Sequence, residues 1–180
     1  MTPLPTLLAV GAPVVGAWRM DQARHAPTWD SGIGAERTGG RWNPKGVKAV
    51  YCALDPATTI LELAVHMGFN ALDTMPFILT CMQVTDVINV HVVQPAGVPN
   101  ANWLHNGPPS AGQQIWGAAL LDQHDFVFFP SVVSKSSWNI VFRPDRAFSA
   151  SFTDDRHASS RVITSPIEPG RSAAFLAIIV

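Results

Sequence analysis

Proline and glycine interrupt this sequence along its whole length. Fifteen prolines and 13 glycines are distributed over 180 residues. Proline removes a backbone donor and glycine favours turns, so neither suits the interior of a long helix or a central strand. The sequence therefore predicts many short helices and strands joined by turns. It contains neither an internal repeat nor a low-complexity tract, and we expect one domain that spans residues 1–180.

The charge balance excludes one broad class of function. Twelve lysine and arginine residues stand against 13 aspartate and glutamate residues, which gives a formal charge of −1. A protein that binds nucleic acid through bulk electrostatics needs a cationic surplus, which this chain lacks. Charged residues make up only 14% of the chain, whereas soluble domains carry about 25%. We therefore expect a partner or a second copy to cover part of the surface.

The cysteines and the hydropathy of the chain indicate its compartment. Cys52 and Cys81 lie in apolar, strand-like runs, as is typical of buried thiols in a reducing cytosol. No apolar run approaches the roughly 18 residues that span a membrane. The segment 1–18 is apolar, but it contains three prolines and lacks the basic region that opens a signal peptide. We therefore expect mature sequence in a cytoplasmic protein without a membrane partner.

The clearest local signal is at residues 43–46, where the sequence Asn-Pro-Lys-Gly fits a type I turn. This turn separates residues 39–42 from residues 47–52, which predicts a β-hairpin. If the glycine is left-handed, the loop has three residues and a bulge, and Arg41 and Tyr51 share one face of the hairpin. A two-residue loop would place these two side chains on opposite faces.

Residues 55–66 carry the signals of an amphipathic helix. Asp55 suits the N-cap, and Pro56 suits the first helical position. Glu62 lies off the centre of the apolar stripe, so it points toward solvent or toward a cleft, and periodicity does not choose between them. The expected buried stripe consists of Ala57, Ile60, Leu61, Ala64 and Val65.

Short strands dominate the rest of the chain. The predicted strands are residues 77–84, 87–92, 125–129 and 138–142, with a long loop over 95–110 and a short helix over 113–122. Helices and strands do not alternate regularly, which favours an α+β fold over a doubly wound sheet. The tail at residues 154–180 has three interpretations: an added edge strand, a segment that packs on a partner, or a poorly ordered extension.

Several familiar kinds of catalytic site are absent from the sequence. The six histidines are scattered without metal-ligand spacing, so we expect no metal site. Neither a Gly-x-Ser-x-Gly elbow nor a phosphate-binding loop occurs. A serine hydrolase built on Ser131 would need a histidine base that the sequence does not place. From composition and these motifs, the chain is a soluble α+β domain of unspecified activity.

A set of segments resembles the RES domain, a family named for an arginine, a glutamate and a serine. The resembling segments are residues 18–19, 39–46, 49–51, 59–62, 129–132 and Asn139. The resemblance covers about residues 18–145, and the Gly-Gly-Arg-Trp-Asn block is its most specific part. It implies a fold related to ADP-ribosyltransferases, with a mixed, mainly antiparallel β-sheet core and few helices. Residues 151–180 form a C-terminal extension beyond it.

The resemblance implies an enzyme that takes NAD⁺ as its substrate, without a metal, and cleaves the nicotinamide–ribose bond. The implied catalytic residues are Glu62, Arg41, Tyr51 and Ser131, and the implied NAD⁺-binding residues are Arg19, Arg41, Tyr51 and Asn139.

These residue types suit that chemistry. Arg19 and Arg41 are fork-shaped donors for a pyrophosphate. Tyr51 offers a ring on which the cationic nicotinamide can stack. Cleavage passes through an oxocarbenium-like sugar, and the Glu62 carboxylate is the group implied to stabilise it. Serine and asparagine side chains can hydrogen-bond to ribose or phosphate.

The resemblance also implies partners. The family consists mostly of toxins of bacterial toxin–antitoxin pairs, in which the antitoxin carries a helix-turn-helix of the Xre class. A tight protein partner would cover apolar surface, in agreement with the low charge content. A homodimer within that complex and a protein target of ADP-ribosylation are further partners that this interpretation allows. Contact with DNA would come through the antitoxin, not directly.

Alternatives stay open at the level of residues and of function. The structural alternatives are a surface ion pair for Arg41, an i,i+4 pair between Glu62 and His66, a core position for Tyr51, a strand end for Ser131 and a strand or turn position for Asn139. The functional alternative is a non-catalytic interaction module of the same fold. An RNA-cleaving toxin is disfavoured because the chain has no basic stripe with interleaved aromatic residues. The acceptor can be water, phosphate or a protein side chain.

Overall fold

The computed structural model describes residues 15–84, 90–105 and 107–147, together with the backbone of residues 163–167. The strands are β1 (Val15–Gln22), β2 (Val50–Ala53), β3 (Phe77–Val84), β4 (Val90–Val92), β5 (Phe126–Pro130), β6 (Trp138–Phe142) and β7 (Ile163–Ile167). The α-helices are α1 (Ile33–Thr38), α2 (Pro56–Met67), α3 (Phe69–Thr74), α4 (Ala111–Gln123) and α5 (Pro144–Ala147). Two 3₁₀ turns, Ala23–Thr28 and Pro95–Gly97, complete the described elements.

All seven strands belong to one sheet, in the order β4-β5-β6-β2-β1-β3-β7. Only β4 and β5 are parallel, and every other neighbouring pair is antiparallel. The predicted α+β class with a mixed, mainly antiparallel sheet is therefore confirmed. β1 pairs with β3 over its whole length but meets β2 only where Trp18 faces Ala53. Backbone groups of β2 beyond that point are free to bond with side chains.

The middle of the sheet is buried on both faces. Phe128 of β5 and Ile140 of β6 belong to one apolar cluster, whereas their neighbours Val127 and Val141 belong to another. Alternating side chains of a strand point to opposite faces, so each face carries its own core. The second core also contains Trp42, which stacks on Phe129 with ring centroids 4.2 Å apart. The loop that carries Arg41 is thereby anchored to the sheet.

Helix α2 begins as predicted but turns a different face inward. The Asp55 side chain accepts a hydrogen bond from the Thr58 amide at 2.7 Å, and Pro56 is the first helical residue. Ala64 is buried as predicted, but Val65 is 52% exposed and lies outside the buried face. The predicted buried stripe is wrong at Val65. This part of α2 forms one wall of a cavity, so the Val65 side chain faces open space instead of the core.

The predicted hairpin is wrong. Residues 39–49 form no strand in the described structure. After β1, the chain returns to the sheet only at β2. The glycine at 46 does take a left-handed conformation, with φ of 91°. Asn43 explains the difference: it is completely buried, and its Nδ2 donates to the carbonyl of Ala35 in α1 and to two carbonyls of its own loop, those of Pro44 and Val47. A side chain that satisfies the local backbone competes with a strand ladder.

The other predicted elements are largely confirmed. Strands β3 and β6 have the predicted bounds, while α4 and β5 differ from the prediction by one or two residues. Of the predicted strand 87–92, residues 90–92 are described as β4, and residues 87–89 lie outside the described residues. In the tail, β7 pairs with β3 at one edge of the sheet, which confirms the edge-strand interpretation for those five residues. The rest of the tail and residues 1–14 lie outside the described structure.

Both cysteines are free and buried, as expected. Burial raises the pKa of the Cys52 thiol to about 12 and also raises the pKa of Cys81. Such thiols are unreactive at neutral pH. Among the described residues, no helix has the length and apolar character needed to cross a membrane.

Candidate functional site

A cavity of about 1190 Å³ lies beside α2, where β1 and β2 diverge. It is bounded on one side by the loop at residues 39–42 and on another by α2. Five of the six residues proposed from the sequence line this cavity: Arg19, Arg41, Tyr51, Glu62 and Asn139. The sixth, Ser131, is completely buried and lies behind the wall.

The Glu62 carboxylate is held from behind by two side chains. Ser131 Oγ donates to Glu62 Oε1 at 3.1 Å, and Asn139 Nδ2 donates to the same oxygen at 2.7 Å. Glu62 Oε2 has no hydrogen-bond partner among the described residues. One oxygen is thus fixed by protein donors, while the other is left to interact with whatever enters the cavity.

Three elements meet at this carboxylate. Glu62 stands on α2, Ser131 follows the end of β5, and Asn139 lies on β6. β5 and β6 are neighbours, and Asn139 pairs with the Phe129 position two residues before Ser131. The sheet register therefore brings the serine and the asparagine to the same end of the two strands, under the second turn of α2.

Ser131 contacts Glu62 and the backbone, not the cavity. Its Oγ donates to Glu62 and accepts from the Ser134 amide at 3.0 Å. Since its side chain is completely buried, it orients the carboxylate from behind. A direct contact between Ser131 and a ligand is not part of this arrangement.

Asn139 carries an acceptor that the described residues leave unused. Its Oδ1 is buried and has no hydrogen-bond partner. A buried polar atom without a partner costs about 1–3 kcal/mol. The bond from Nδ2 to Glu62 is the one side-chain hydrogen bond of Asn139 within the described structure. A buried atom of this kind calls for an explanation, and a role at a functional site is one of those available.

Arg41 places a cation on the cavity wall, within electrostatic reach of Glu62. Its guanidinium donates to the Trp103 carbonyl at 2.9 Å and to the His105 carbonyl at 3.5 Å. It forms no ion pair among the described residues, so the surface ion pair considered for it is absent. Burial lowers the pKa of Arg41, while the charges of Glu62 and Tyr51 act in the opposite direction. Arginine remains cationic at neutral pH, so Arg41 gives this part of the cavity wall a positive charge.

Helix α4 supports the loop that carries Arg41. Gln114 Nε2 donates to the Gly40 carbonyl at 2.8 Å, and Gln113 Nε2 donates to the Arg41 carbonyl at 3.4 Å. Gly117 allows the helix to approach, since a Cβ there would lie 2.4 Å from the Trp42 carbonyl oxygen. Sequence reasoning missed these residues. The available signal was a glycine inside a helix, which often marks a close backbone approach.

Tyr51 contributes its ring to the cavity wall, while its hydroxyl is engaged elsewhere. The hydroxyl donates to Asn43 Oδ1 at 2.6 Å and accepts from the Trp42 amide at 3.1 Å. Burial raises the pKa of Tyr51 well above its ordinary value. The hydroxyl is therefore not available for proton transfer near neutral pH. Gly40 is required beside it, because a Cβ there would lie 2.6 Å from the hydroxyl oxygen.

Arg19 lies in the cavity with its charge largely compensated. Its Nε and Nη2 donate to the two carboxylate oxygens of Asp21 at 2.8 and 2.7 Å. Its Nη1 donates to the Tyr51 carbonyl at 2.9 Å, in the stretch where β1 and β2 have diverged. Three of the five guanidinium N–H groups are thus occupied, and two remain for a ligand.

The alternative pair between Glu62 and His66 is not formed. No ion pair or hydrogen bond joins these side chains in the described structure. His66 is exposed and lines the cavity one turn beyond Glu62. The described residues also contain no group of three or more His, Cys, Asp or Glu side chains that could hold a metal ion.

Comparisons with known proteins identify the family of this chain. Residues 17–161 match the RES domain. The chain is 30% identical over 146 residues to Toxin Res of Yersinia enterocolitica, covering 80% of this chain and 86% of that protein. It is 37% identical over 132 residues to Toxin Res of Photorhabdus laumondii, covering 71% and 80% of the two chains. It is 30% identical over 135 residues to the Prs ADP-ribosylating toxin of a Sphingobium species, covering 71% and 81%.

Solved structures share this fold, and one of them matches over most of both chains. It is the MbcT–MbcA toxin–antitoxin complex of M. tuberculosis, in which the matched chain superposes with a TM-score of 0.68. The match covers 91% of this chain and 90% of that chain, at 21% sequence identity. At this identity, the likeness shows a common fold.

Proposed function

The chain belongs to the RES domain family, and from that premise we propose that it is the toxin of a toxin–antitoxin pair and consumes NAD⁺. The reaction is cleavage of the nicotinamide–ribose bond, and the loss of NAD⁺ inhibits growth. The whole chain acts as one RES domain in this proposal. The observation that carries it is the Glu62 carboxylate, fixed through one oxygen and open to the cavity through the other.

The geometry around Glu62 suits the bond that breaks. In NAD⁺ the glycosidic electron pair leaves with nicotinamide, which becomes neutral, and the ribose carbon takes on oxocarbenium character. A fixed carboxylate stabilises such a cation, and it also accepts a hydrogen bond from a ribose hydroxyl. Ser131 and Asn139 keep the carboxylate from following the substrate, so its charge is preorganised. With water as acceptor, the products are nicotinamide, ADP-ribose and a proton.

Two arginines are suited to the pyrophosphate of NAD⁺. Arg41 has no carboxylate partner among the described residues and lines the same cavity as Glu62. Arg19 retains two N–H groups after its bonds to Asp21 and the Tyr51 carbonyl. We assign the stronger contact to Arg41, because its charge is not already paired. The Tyr51 ring is a platform for the flat nicotinamide cation.

The acceptor of the ADP-ribosyl group belongs to the same proposal. Water gives a glycohydrolase, inorganic phosphate gives a phosphorylase, and a protein side chain gives an ADP-ribosyltransferase. The name of the Sphingobium relative assigns ADP-ribosylation to that protein. Analysis of the co-product distinguishes the three outcomes for this chain.

We further propose that the antitoxin covers the mouth of the cavity. Val65, Met67 and Phe69 are 52%, 41% and 53% exposed, and Val65 and Met67 line the cavity. This group, called the apolar rim, is suited to a protein partner. The solved structural relative was crystallised with its antitoxin. We propose that this antitoxin carries an Xre-type helix-turn-helix and that the toxin is a dimer within the complex. We also propose that the toxin acts in the cytoplasm.

The central test is NAD⁺ consumption by the purified protein. Wild-type protein, Glu62→Gln and Glu36→Gln are incubated with NAD⁺, and proton NMR follows nicotinamide release with and without phosphate. Glu36 is the matched control, since it lies on α1 and does not line the cavity. We expect release by wild type and Glu36→Gln, and a loss of at least about 100-fold in Glu62→Gln.

Two outcomes would contradict the proposal. Unchanged release by Glu62→Gln would remove the carboxylate from the mechanism. A folded, antitoxin-free wild type that releases no nicotinamide, with or without added protein acceptors, would leave the non-catalytic interaction module as the better description.

A further inference from the structure

The segment between β5 and β6 forms a closed hydrogen-bonded loop, here called the serine loop (residues 131–137). The Ser131 amide donates to the Ser137 carbonyl at 3.1 Å, and the Ser137 amide donates to the Ser134 carbonyl at 3.1 Å. The Ser134 amide donates to Ser131 Oγ at 3.0 Å. The loop is therefore internally tied, and Ser131 and Ser137 are both buried.

This loop binds α2 at two points. Ser137 Oγ donates to Asp55 Oδ2 at 2.6 Å, at the N-cap of the helix. Ser131 Oγ donates to Glu62 Oε1 at 3.1 Å, two turns further along. Asp55 is the N-cap that immediately precedes the helix, and Glu62 lies seven residues further on, about 10 Å along the axis. Two bonds from one internally hydrogen-bonded loop thus hold the helix at its N-cap and at its second turn.

We infer that Asp55 and Ser137 are positioning residues for Glu62, an inference that rests on the proposed function. Neither residue lines the cavity, so both act on the reaction only through the helix. Asp55 is linked to the helix backbone through the Thr58 amide at 2.7 Å and to the loop through Ser137. The pair fixes the rotation of α2 about its axis, and that rotation determines where the Glu62 carboxylate lies.

This role predicts a specific kinetic effect. Loss of the Ser137 hydroxyl frees the first turn of α2 from the loop and leaves the arginines untouched. Substrate binding then persists, while the carboxylate is less well aligned in the transition state. Misplacement of a catalytic group by about 1 Å costs up to about 100-fold in rate. Ser137→Ala is expected to lower kcat about tenfold, with KM within about twofold of wild type.

The experiment compares Ser137→Ala, Ser137→Thr and Val84→Ala with the wild type. Val84 is buried in β3 and does not line the cavity, and its truncation removes apolar contacts while it leaves in place the hydrogen bonds from Ser137 to Asp55 and from Ser131 to Glu62. Rates are measured well below the thermal midpoint of each variant. We expect Ser137→Thr to restore kcat because it keeps the hydroxyl, and Val84→Ala to retain kcat.

A second measurement does not depend on turnover. The chain has three glutamates, at positions 36, 62 and 168, so ¹³C labelling of glutamate carboxyl carbons gives a simple NMR spectrum, and Glu62→Gln assigns the Glu62 signal. We expect Ser137→Ala to shift this signal and Val84→Ala to leave it in place.

The outcomes separate this inference from the proposed function. If wild type consumes NAD⁺ and Ser137→Ala has wild-type kcat, or Val84→Ala loses kcat equally, the positioning role is wrong and the proposed function stands. If wild type consumes no NAD⁺, the proposed function fails, and the carboxyl signal alone tests the link between the loop and Glu62. An unshifted signal in Ser137→Ala contradicts that link.

Discussion

The two sides of the cavity are built in different ways. Glu62 stands on a regular helix and is held by side chains that project from the ends of two strands. Arg41 lies in an irregular loop whose backbone is held by buried amide side chains, chiefly Asn43 and Gln113. On the glutamate side, polar groups orient one carboxylate and one of them leaves an atom unsatisfied. On the arginine side, polar groups hold the chain itself together.

Because the two sides are built differently, we expect substitutions on one side to change mainly stability and substitutions on the other to change mainly turnover. Substitutions around Arg41 remove hydrogen bonds that fold the loop, so we expect them to act mainly on the free energy of unfolding. Substitutions around Glu62 remove bonds that only orient a side chain, so we expect them to act mainly on turnover. Substitutions at Asn43, Gly117, Asn139 and Asp55 test this separation, in decreasing order of expected effect.

Asn43→Ala is expected to be the most destabilising of these changes. The buried side chain satisfies three carbonyl groups and the Tyr51 hydroxyl, and each buried group that loses its partner costs about 1–3 kcal/mol. We expect a loss of about 4 kcal/mol in urea unfolding, since such terms are not fully additive. Asn70→Ala, at an exposed position on α3, serves as the control. A loss below about 1 kcal/mol for Asn43→Ala would show that the loop is held by other means.

Gly117→Ala tests the contact between α4 and the arginine loop. Its Cβ would lie 2.4 Å from the Trp42 carbonyl oxygen and 2.8 Å from the Trp42 Cα, so either the helix or the loop must move. We expect a loss of about 3 kcal/mol in unfolding free energy, at the upper end of the range for overpacking. Gly112→Ala in the same helix meets nothing within 4 Å and is expected to be neutral or stabilising. Equal effects of the two variants would contradict the close approach.

Asn139→Ala is expected to lower turnover and to leave the free energy of unfolding nearly unchanged, the reverse of the substitutions around Arg41. It removes one of two donors to Glu62 Oε1 and also the unsatisfied Oδ1, so the two stability terms offset each other. We expect a change in unfolding free energy within about 1 kcal/mol and a fall in kcat of about tenfold. Both are measured on the same preparation. A loss of stability above about 2 kcal/mol with unchanged kcat would make Asn139 a structural residue.

The smallest expected effect is a pH dependence that arises from Asp55. Burial raises the pKa of this carboxyl, but hydrogen bonds from Ser137 and Thr58 outweigh burial and hold it below its ordinary value of 3.8. Because the folded pKa lies below the unfolded pKa, the folded state binds fewer protons, and the stabilisation is present above pH of about 4. It is lost as the pH falls through the folded pKa.

Asp55→Asn provides the comparison, since asparagine also caps helices but does not titrate. We expect the advantage of wild type over Asp55→Asn in urea unfolding to shrink between pH 5 and pH 3. An advantage that stays constant over this interval would show that the charge of Asp55 does not contribute.

Features that depend on a few adjacent residues could be predicted from the sequence alone. The N-cap at Asp55 and the strands at 77–84 and 138–142 were predicted from local patterns and are present. The left-handed conformation of Gly46 was one of two alternatives that the sequence left open, and it is the one observed. The family likewise follows from compact motifs around Arg41 and Glu62. Such signals are readable because their physical causes, capping, alternation and turn geometry, act within a few residues.

The assembly of these helices, strands and loops into a site depends on tertiary contacts. Ser131 and Asn139 are 69 and 77 residues from Glu62 in the chain, yet both donate to the same oxygen. Their convergence depends on the pairing of β5 with β6 and on where α2 packs, which no local pattern specifies. The prediction of a hairpin around residues 43–46 was wrong for the same reason. Asn43 meets Tyr51 and the backbone of α1, and these tertiary bonds outweigh the local preference for a strand pair.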